Sequence, residues 1–251
     1  MTSAERPAAQ TVDDALALLE EVATARGATL SQLARATGMT ISKAYRLLGT
    51  LEQRGYLERR NGKAFELGPK LLHLGHRAAR SHPLVRAAAP VLQRLGERFD
   101  ESVLLAVRVG LERVIVDARD ARYGPQLSWP HDARLPLHSG ALGLCLLAYA
   151  PKEVVRAVES QGLPAFTRHT VASRAELARA LSEIRKEHVY VSKHSYVEGV
   201  YSVASPILGN DRVAVAALSV VGAVARLDRT TEERMRSEVR DAAAEVAGYL
   251  I

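Results

Sequence analysis

The sequence predicts an α+β protein in two parts: an N-terminal winged helix-turn-helix, then a linker helix leading to a larger unit built on an antiparallel sheet. Three observations carry this reading. Two short helical patterns break at Thr37-Gly38-Met39. A basic, strand-like pair follows, with Asn61-Gly62 at its turn. Beyond Pro83 the pattern changes to paired strands alternating with helices. The spacing sets the divisions at 1–10 for a loose arm, 11–68 for the winged unit, 69–83 for the linker helix and 84–251 for the second domain.

In chain order, residues 1–10 are polar and Ala-rich. Thr11 with Asp14 has the spacing of a capping pair. It opens a helix whose expected inner face carries Val12, Ala15, Leu16, Leu19, Val22 and Ala23. Thr29 with Gln32 repeats the capping spacing, Leu30, Leu33 and Ala34 supply an apolar stripe, and Gly38 ends the helix. Thr40 is the expected N-cap of the next helix, which runs to Leu51. Ala44, Leu47, Leu48 and Leu51 share its apolar face, leaving Ser42, Lys43, Tyr45, Arg46 and Thr50 elsewhere. With Ser31 and Thr40 these residues are placed to reach a major groove.

Short amphipathic helices separated by glycine are common, so the hairpin and the charge decide between packing and nucleic acid. A three-residue loop, Arg60-Asn61-Gly62, is the preferred register. It would set Leu57 against Phe65 and Arg59 against Lys63, gathering Arg59, Arg60 and Lys63 at an exposed tip. Like charges clustered there make sense beside phosphates. Residues 26–80 hold eleven Lys and Arg against three acidic residues, although the whole chain is only +6. No long apolar run or amphipathic basic helix adjoins them, so nucleic acid is a stronger reading than a membrane surface.

Gly68-Pro69 restarts a helix with Leu71, Leu72, Leu74 and Ala78 that ends near Pro83. A helix through Val91, Leu92, Leu95 and Phe99 precedes strands at 102–109 and 113–118. The segment 139–150 reads as a buried helix, and Ser173 with Glu176 caps another that runs to about Glu187. Strands follow at 189–192, 201–207 and 213–221. Thr230 with Glu233 opens the last helix, striped by Met235, Val239, Ala242, Val246 and Leu250.

At 251 residues with 47% hydrophobic composition the chain can bury two cores. It has no leader-like apolar core at its start and no apolar stretch of the roughly 20 residues a bilayer requires. A soluble, cytoplasmic protein without membrane contact is expected. The single cysteine, Cys145, excludes an internal disulfide and a thiolate-rich zinc site. An enzyme is the rival class, with Cys145 as nucleophile and His138 or His194 as base. The setting Leu144-Cys145-Leu146-Leu147 disfavours a thiolate, however. His131, Asp132, His138, His188 and His194 match no compact ligand spacing. No phosphate loop, nucleophile elbow or carboxylate pair appears, so no cofactor, metal or catalytic residue is expected. An architectural DNA-binding protein without a ligand is a third class, and the size of the second domain argues against it.

Several stretches resemble the IclR family of bacterial transcriptional regulators, and the likeness runs from about Thr11 to Leu250. In the first part they are Leu33-Ala34-Arg35-Ala36-Thr37-Gly38-Met39 and Tyr45-Arg46-Leu47-Leu48-Gly49-Thr50-Leu51. In the second they are Leu135-Pro136-Leu137-His138-Ser139-Gly140-Ala141-Leu142-Gly143, Gly199-Val200-Tyr201-Ser202-Val203-Ala204-Ser205-Pro206 and Ala216-Ala217-Leu218-Ser219-Val220. The resemblance implies a GAF-like effector domain whose curved antiparallel sheet cups a small molecule. It also implies a homodimer or dimer of dimers on double-stranded operator DNA. The chain departs from the family pattern at Leu144, where a lysine is common, and at Ser192 or Ser195, near an acidic position. It departs again at Ser202, often cysteine, and at Val221, often serine.

The expected pocket uses Ser139, Gly140, Ala141 and Leu142, a small-residue loop entering a helix whose amides can hold an anionic or carbonyl oxygen. Ser192, Ser195, Ser202 and Ser219 would add hydroxyls, and Leu127, Trp129 and Leu144 apolar surface. A small aromatic or hydrophobic acid or amide would suit them.

Overall fold

The computed structural model describes residues 9–25, 27–122 and 135–250. The chain divides into two compact units between Arg80 and Ser81. In the first, α1 (Gln10–Thr24), α2 (Leu30–Ala36) and α3 (Ile41–Gln53) pack on a small sheet of β1 (Ala28–Thr29), β2 (Leu57–Arg60) and β3 (Ala64–Leu67), and α4 (Pro69–Ser81) follows. Leu18, Leu33, Leu48, Leu57 and Phe65 form its core. Thr29 and Gln32 cap α2 reciprocally, and Thr40 Oγ1 accepts the Lys43 amide at 3.3 Å, which starts α3 where the sequence predicts.

The first helix differs from expectation. It begins at Gln10 with no side-chain cap, so Thr11 lies inside it and Asp14 is free of that role. Asp14 is buried and ion-paired with Lys43, whose hydrogen bond holds its carboxyl below the usual carboxylate range. Val12 and Leu16 are 58% and 52% exposed rather than inward, because Asp14, Leu18 and Val22 take the buried stripe.

The wing register also differs. Leu57 pairs with Leu67 and Arg59 with Phe65, so the loop is Asn61-Gly62-Lys63. Asn61 and Gly62 both take left-handed φ, and the Lys63 amide donates to the Arg60 carbonyl at 3.3 Å. Each partner moves by two residues from the expected register, which keeps Leu57 and Phe65 on one buried face. Facial parity therefore could not separate the expected register from the observed one. Pairing of β3 with β1 at Ala28↔Phe65 adds a constraint that the hairpin sequence does not contain.

In the second unit α5 (Pro83–Phe99) leads into β4 (Ser102–Val109) and β5 (Glu112–Arg119). Then come β6 (Leu135–Pro136), α6 (Gly140–Ala148), α7 (Lys152–Gln161), α8 (Arg174–Glu187), β7 (Tyr190–Lys193), β8 (Val200–Leu208), β9 (Ala214–Ala223) and α9 (Arg229–Gly248). The sheet is antiparallel throughout, in the order β6-β5-β4-β9-β8-β7. One face packs on α5 and α9 through Leu92, Leu105, Val203, Leu218, Val239 and their neighbours. The other packs on α6 and α8 through Leu104, Ala106, Ala217, Leu144 and Ile184. Ser173 and Glu176 form the expected capping box of α8. The last helix is capped by Asp228, whose carboxylate accepts the Thr231 amide at 2.7 Å, not by the Thr230 pair. Helix α7 was not expected, since Val158 is its single buried residue and Pro151 caps it without a side-chain bond.

Helix α6 is buried from Ala141 to Ala148 and lies between the sheet and α8. Its seating requires glycine at one point. A Cβ on Gly143 would stand 2.5 Å from the Leu137 carbonyl oxygen and 2.9 Å from Arg113 Nη1. Gly143→Ala should therefore lower stability by about 1–3 kcal/mol, as overpacking does. Urea unfolding checks this: an unchanged midpoint would mean that α6 can lift off Leu137 freely.

Candidate functional site

Two surfaces hold the residues singled out in the sequence. On the first unit the N-terminal turns of α3 present Thr40, Ser42, Tyr45 and Arg46 to solvent, with Tyr45 59% exposed. Ser31 is exposed at the start of α2, its Oγ 3.3 Å from Thr29 Oγ1. Thr50 is exposed, but its hydroxyl donates to the Arg46 carbonyl at 2.9 Å within the helix. Lys43 is half-buried by its pairing with Asp14.

The basic tip of the wing is less concentrated than the sequence predicts. Arg59 lies across the Phe65 ring with its guanidinium carbon 4.8 Å from the centroid, and its Nε pairs with Glu52 at 3.1 Å. Arg60 pairs with Glu66 at 2.9 Å. Lys63 is exposed in the loop and takes no ion pair among the described residues. The change of register causes this, because it sets Arg59 over an aromatic face and Arg60 beside an acid of β3. Exposed pairs of this kind contribute about 0–1 kcal/mol, so either arginine can exchange its partner for a phosphate at little cost.

The second surface is a cavity of about 50 Å³ between the sheet face under α6, the start of α6 and the turn 194–199. Seating one water needs roughly 10–15 Å³, so the cavity has room for a few groups of that size. Gly140, Ala141, Leu142, Ser192, Ser195 and Ser202 line it, as the sequence suggested. Ser192 and Ser202 face each other across the β7–β8 pair, and Ser192 Oγ accepts the Ala141 amide at 3.1 Å. One amide of the loop is thereby already satisfied.

Three expected residues do not line the cavity. Ser139 is fully buried, with its hydroxyl donating to the Pro136 carbonyl at 3.0 Å. Leu144 points into the core shared with α8, one turn along α6 from the opening. Ser219 is buried opposite Ala204, with no partner for its Oγ among the described residues, while Val221 stands opposite Ser202 at the cavity wall. Two positions along a strand are roughly 6.8 Å, which takes Ser219 beneath α6. Leu127 and Trp129, like His131 and Asp132 and the arm over 1–8, lie outside the described residues.

The sequence reading missed Arg113 and Tyr196, which both line the cavity. Arg113 is 5% exposed and follows the inward alternation of β5, two residues before the cavity-lining Ile115. Its Nη1 donates to the Ser139 carbonyl and, at 3.5 Å, to the Pro136 carbonyl. Burial pushes its pKa down to about 10, so it remains a cation at neutral pH. Tyr196 belongs to a turn fastened from outside: Thr170 Oγ1 donates to the Ser195 carbonyl and Thr167 Oγ1 to the His194 carbonyl, both at 2.7 Å. Phe166 packs on Tyr196 with ring centroids 4.8 Å apart.

The rival nucleophile has a different environment. Cys145 is fully buried, its Sγ 3.5 Å from the Ala204 carbonyl, and burial pushes its thiol up and away from ionisation. His138 sets Nε2 3.0 Å from the Pro164 carbonyl. Among the described residues no group of three or more His, Cys, Asp or Glu could hold a metal, and no helix is long and apolar enough to cross a membrane.

Comparison with known proteins agrees with both halves. The family model for the IclR helix-turn-helix domain matches residues 11–61, and the one for the bacterial transcriptional regulator IclR C-terminal domain matches 76–247. The chain is 27% identical to the HTH-type transcriptional regulator KipR of Bacillus subtilis, over 95% of this chain and 96% of that one. It is 29% identical to the transcriptional repressor IclR of Escherichia coli, over 89% and 84%. Among solved structures, an IclR homolog from Microbacterium hydrocarbonoxydans complexed with 4-hydroxybenzoate superposes with a TM-score of 0.80 at 28% identity, covering 96% of this chain and 98% of that one. An IclR transcriptional regulator from Alicyclobacillus acidocaldarius reaches 0.90 at 23% identity, over 97% and 99%, a likeness of fold. With a winged reading head, an antiparallel-sheet unit enclosing a cavity, and both family models matched along its length, this chain belongs to the IclR family of DNA-binding bacterial transcriptional regulators.

Proposed function

We propose that α3 enters the major groove of operator DNA, that the wing grips the flanking backbone, and that a small molecule in the second unit's cavity controls this grip. The observation that carries the DNA half is the run of exposed polar residues on the first turns of α3, beside a wing whose cations are, among the described residues, unpaired or only weakly paired. Ser42, Lys43 and Tyr45 are assigned to base edges, and Arg46, Arg59, Arg60 and Lys63 to phosphate, with Ser31, Thr40 and Thr50 flanking them. Lys43 reaches DNA by leaving Asp14, so its engagement is coupled to the seating of α1.

The occupant of the cavity is a small aromatic or hydrophobic acid or amide. Leu104, Ile115, Leu135, Val200 and Val221 supply the apolar wall. The neighbouring fold that holds 4-hydroxybenzoate is a guide to ligand size. The protein acts as a homodimer or a pair of dimers. Val12 and Leu16 on α1, with Leu72 and Leu74 on α4, are exposed apolar side chains that a second copy would cover. An effector in such an assembly works through unequal affinity for the DNA-competent and incompetent states.

Lys63→Ala should weaken binding to operator and random duplex alike and reduce the salt slope by roughly 0.9 for a lost phosphate contact. Fluorescence anisotropy across a salt series measures this, and an unchanged slope removes Lys63 from the interface. Lys43→Ala should instead change preference among operator variants by about 1–3 kcal/mol; equal loss on every sequence would reassign Lys43 to phosphate. Ser219→Ala, which deletes a buried hydroxyl away from the cavity, should leave the response to effector intact and hold or raise the melting temperature. A lost response would return Ser219 to the binding site.

A further inference from the structure

The cavity wall contains two buried polar atoms with no hydrogen-bond partner among the described residues, Arg113 Nε and Ser195 Oγ. Elsewhere in the second unit only Ser219 Oγ shares that condition among the described residues. Arg113 meets no carboxylate among the described residues. Among the described residues its hydrogen bonds all leave from Nη1 and end on the carbonyls of Pro136 and Ser139 and the Ser139 hydroxyl. Its guanidinium carbon lies 6.0 Å from the Tyr196 ring centroid, a face that attracts a cation without neutralising it. A guanidinium is charged at any ordinary pH, and burying it unpaired is costly. If holding the loop were its whole task, the Nη1 contacts would suffice and Nε need not have been enclosed.

We propose that Arg113 is the counter-ion of the effector, and that the cavity selects a small monocarboxylic acid whose carboxylate accepts hydrogen bonds from Arg113 and Ser195. This rests on reading the cavity as the effector site. The acid's carbon body lies against Leu104, Ile115, Val200 and Val221. One carboxylate is the limit, because Arg113 is the single cation among the described lining residues and a second negative charge would be left among apolar side chains. An amide of the same shape is disfavoured. Its carbonyl accepts from Arg113 but leaves the charge unneutralised, and its NH2 group cannot accept from Arg113 or Ser195 as a second carboxylate oxygen does.

The test uses the full-length chain and matched neutral and anionic probes, benzoate with benzamide and isobutyrate with isobutyramide, titrated calorimetrically at fixed ionic strength. At least one acid should bind, with its amide tenfold or more weaker. Arg113→Met should lose the acid by tenfold or more without weakening the amide, so that the preference narrows or inverts; a merely structural arginine would lower both together. Arg113→Lys, which keeps a cation, should retain the acid-over-amide order and serves if the Met variant fails to melt cooperatively. Val200→Trp, which fills the cavity, should abolish binding of either probe. Equal affinity for acid and amide, or full acid binding by Arg113→Met, overturns the assignment of Arg113 while loss in Val200→Trp still upholds the cavity. Undiminished binding in Val200→Trp overturns the cavity reading and the proposal with it. Failure of every acid to bind overturns the proposal as well.

Discussion

The guanidinium of Arg113 is inserted between β5 and the start of α6, and much of the second unit is arranged around it. Its Nη1 holds the carbonyls of Pro136 and Ser139, the two residues that lead the chain into α6. That placement leaves no room for a side chain on Gly143, where a Cβ would meet both Nη1 and the Leu137 carbonyl. A glycine at that point lets α6 sit low enough for Ala141 to Ala148 to be buried against the sheet and α8. The seating in turn brings the Ala141 amide to Ser192 and closes the cavity along β7. One charged side chain in an apolar wall thus sets both the height of a helix and the polarity of the space beneath it.

The first unit is constrained differently, by the sharing of a few acids among many bases. Asp14, Glu52 and Glu66 each hold one cation, Lys43, Arg59 and Arg60 respectively. The two wing pairs are solvent-exposed and weak, which suits cations that must exchange one oxygen partner for another. The Asp14 pair is more enclosed and spans α1 and α3, so it ties the outward face of α3 to a helix whose own outward residues, Val12 and Leu16, are uncovered and apolar. On the proposed reading a neighbouring copy that shifts α1 changes the setting of Lys43 directly.

What was legible in the sequence was mostly local. The Thr29–Gln32 and Ser173–Glu176 boxes and the Thr40 cap depend on residues three apart, and they form as expected. Thr11–Asp14 has the same spacing and fails, because Asp14 finds a partner nearly thirty residues away on α3. The antiparallel pairs β4–β5 and β8–β9 follow from hairpin signals, whereas the pairing of β4 with β9 joins strands far apart in the chain and helix α7 buries too little to be seen. For the cavity, the loop at 140–142 and the hydroxyl of Ser202 came from small and polar residues in an apolar setting, whereas Ser192 and Ser195 came from the family resemblance, near a position that is usually acidic; all of them line the cavity. Arg113 was missed because an arginine in an alternating strand reads as a solvent-facing position. The available clue was its parity with Ile115, which puts it on the inward face. Ser219 erred the other way: parity was right, but depth along the strand, which no periodicity encodes, placed it under α6.

The small volume around Arg113 and Ser195 has a further effect, through hydration, on what can enter. A carboxylate must shed tightly held water before it reaches an enclosed donor, and a few carbons of hydrocarbon leaving solvent at the same moment offset that loss by about 0.8 kcal/mol for each methylene. Formate and acetate bring too little carbon for this exchange, and long-chain acids do not fit within about 50 Å³. On this account the cavity is deaf to the shortest acids and tuned to a narrow band of compact ones whose carbon body fills it.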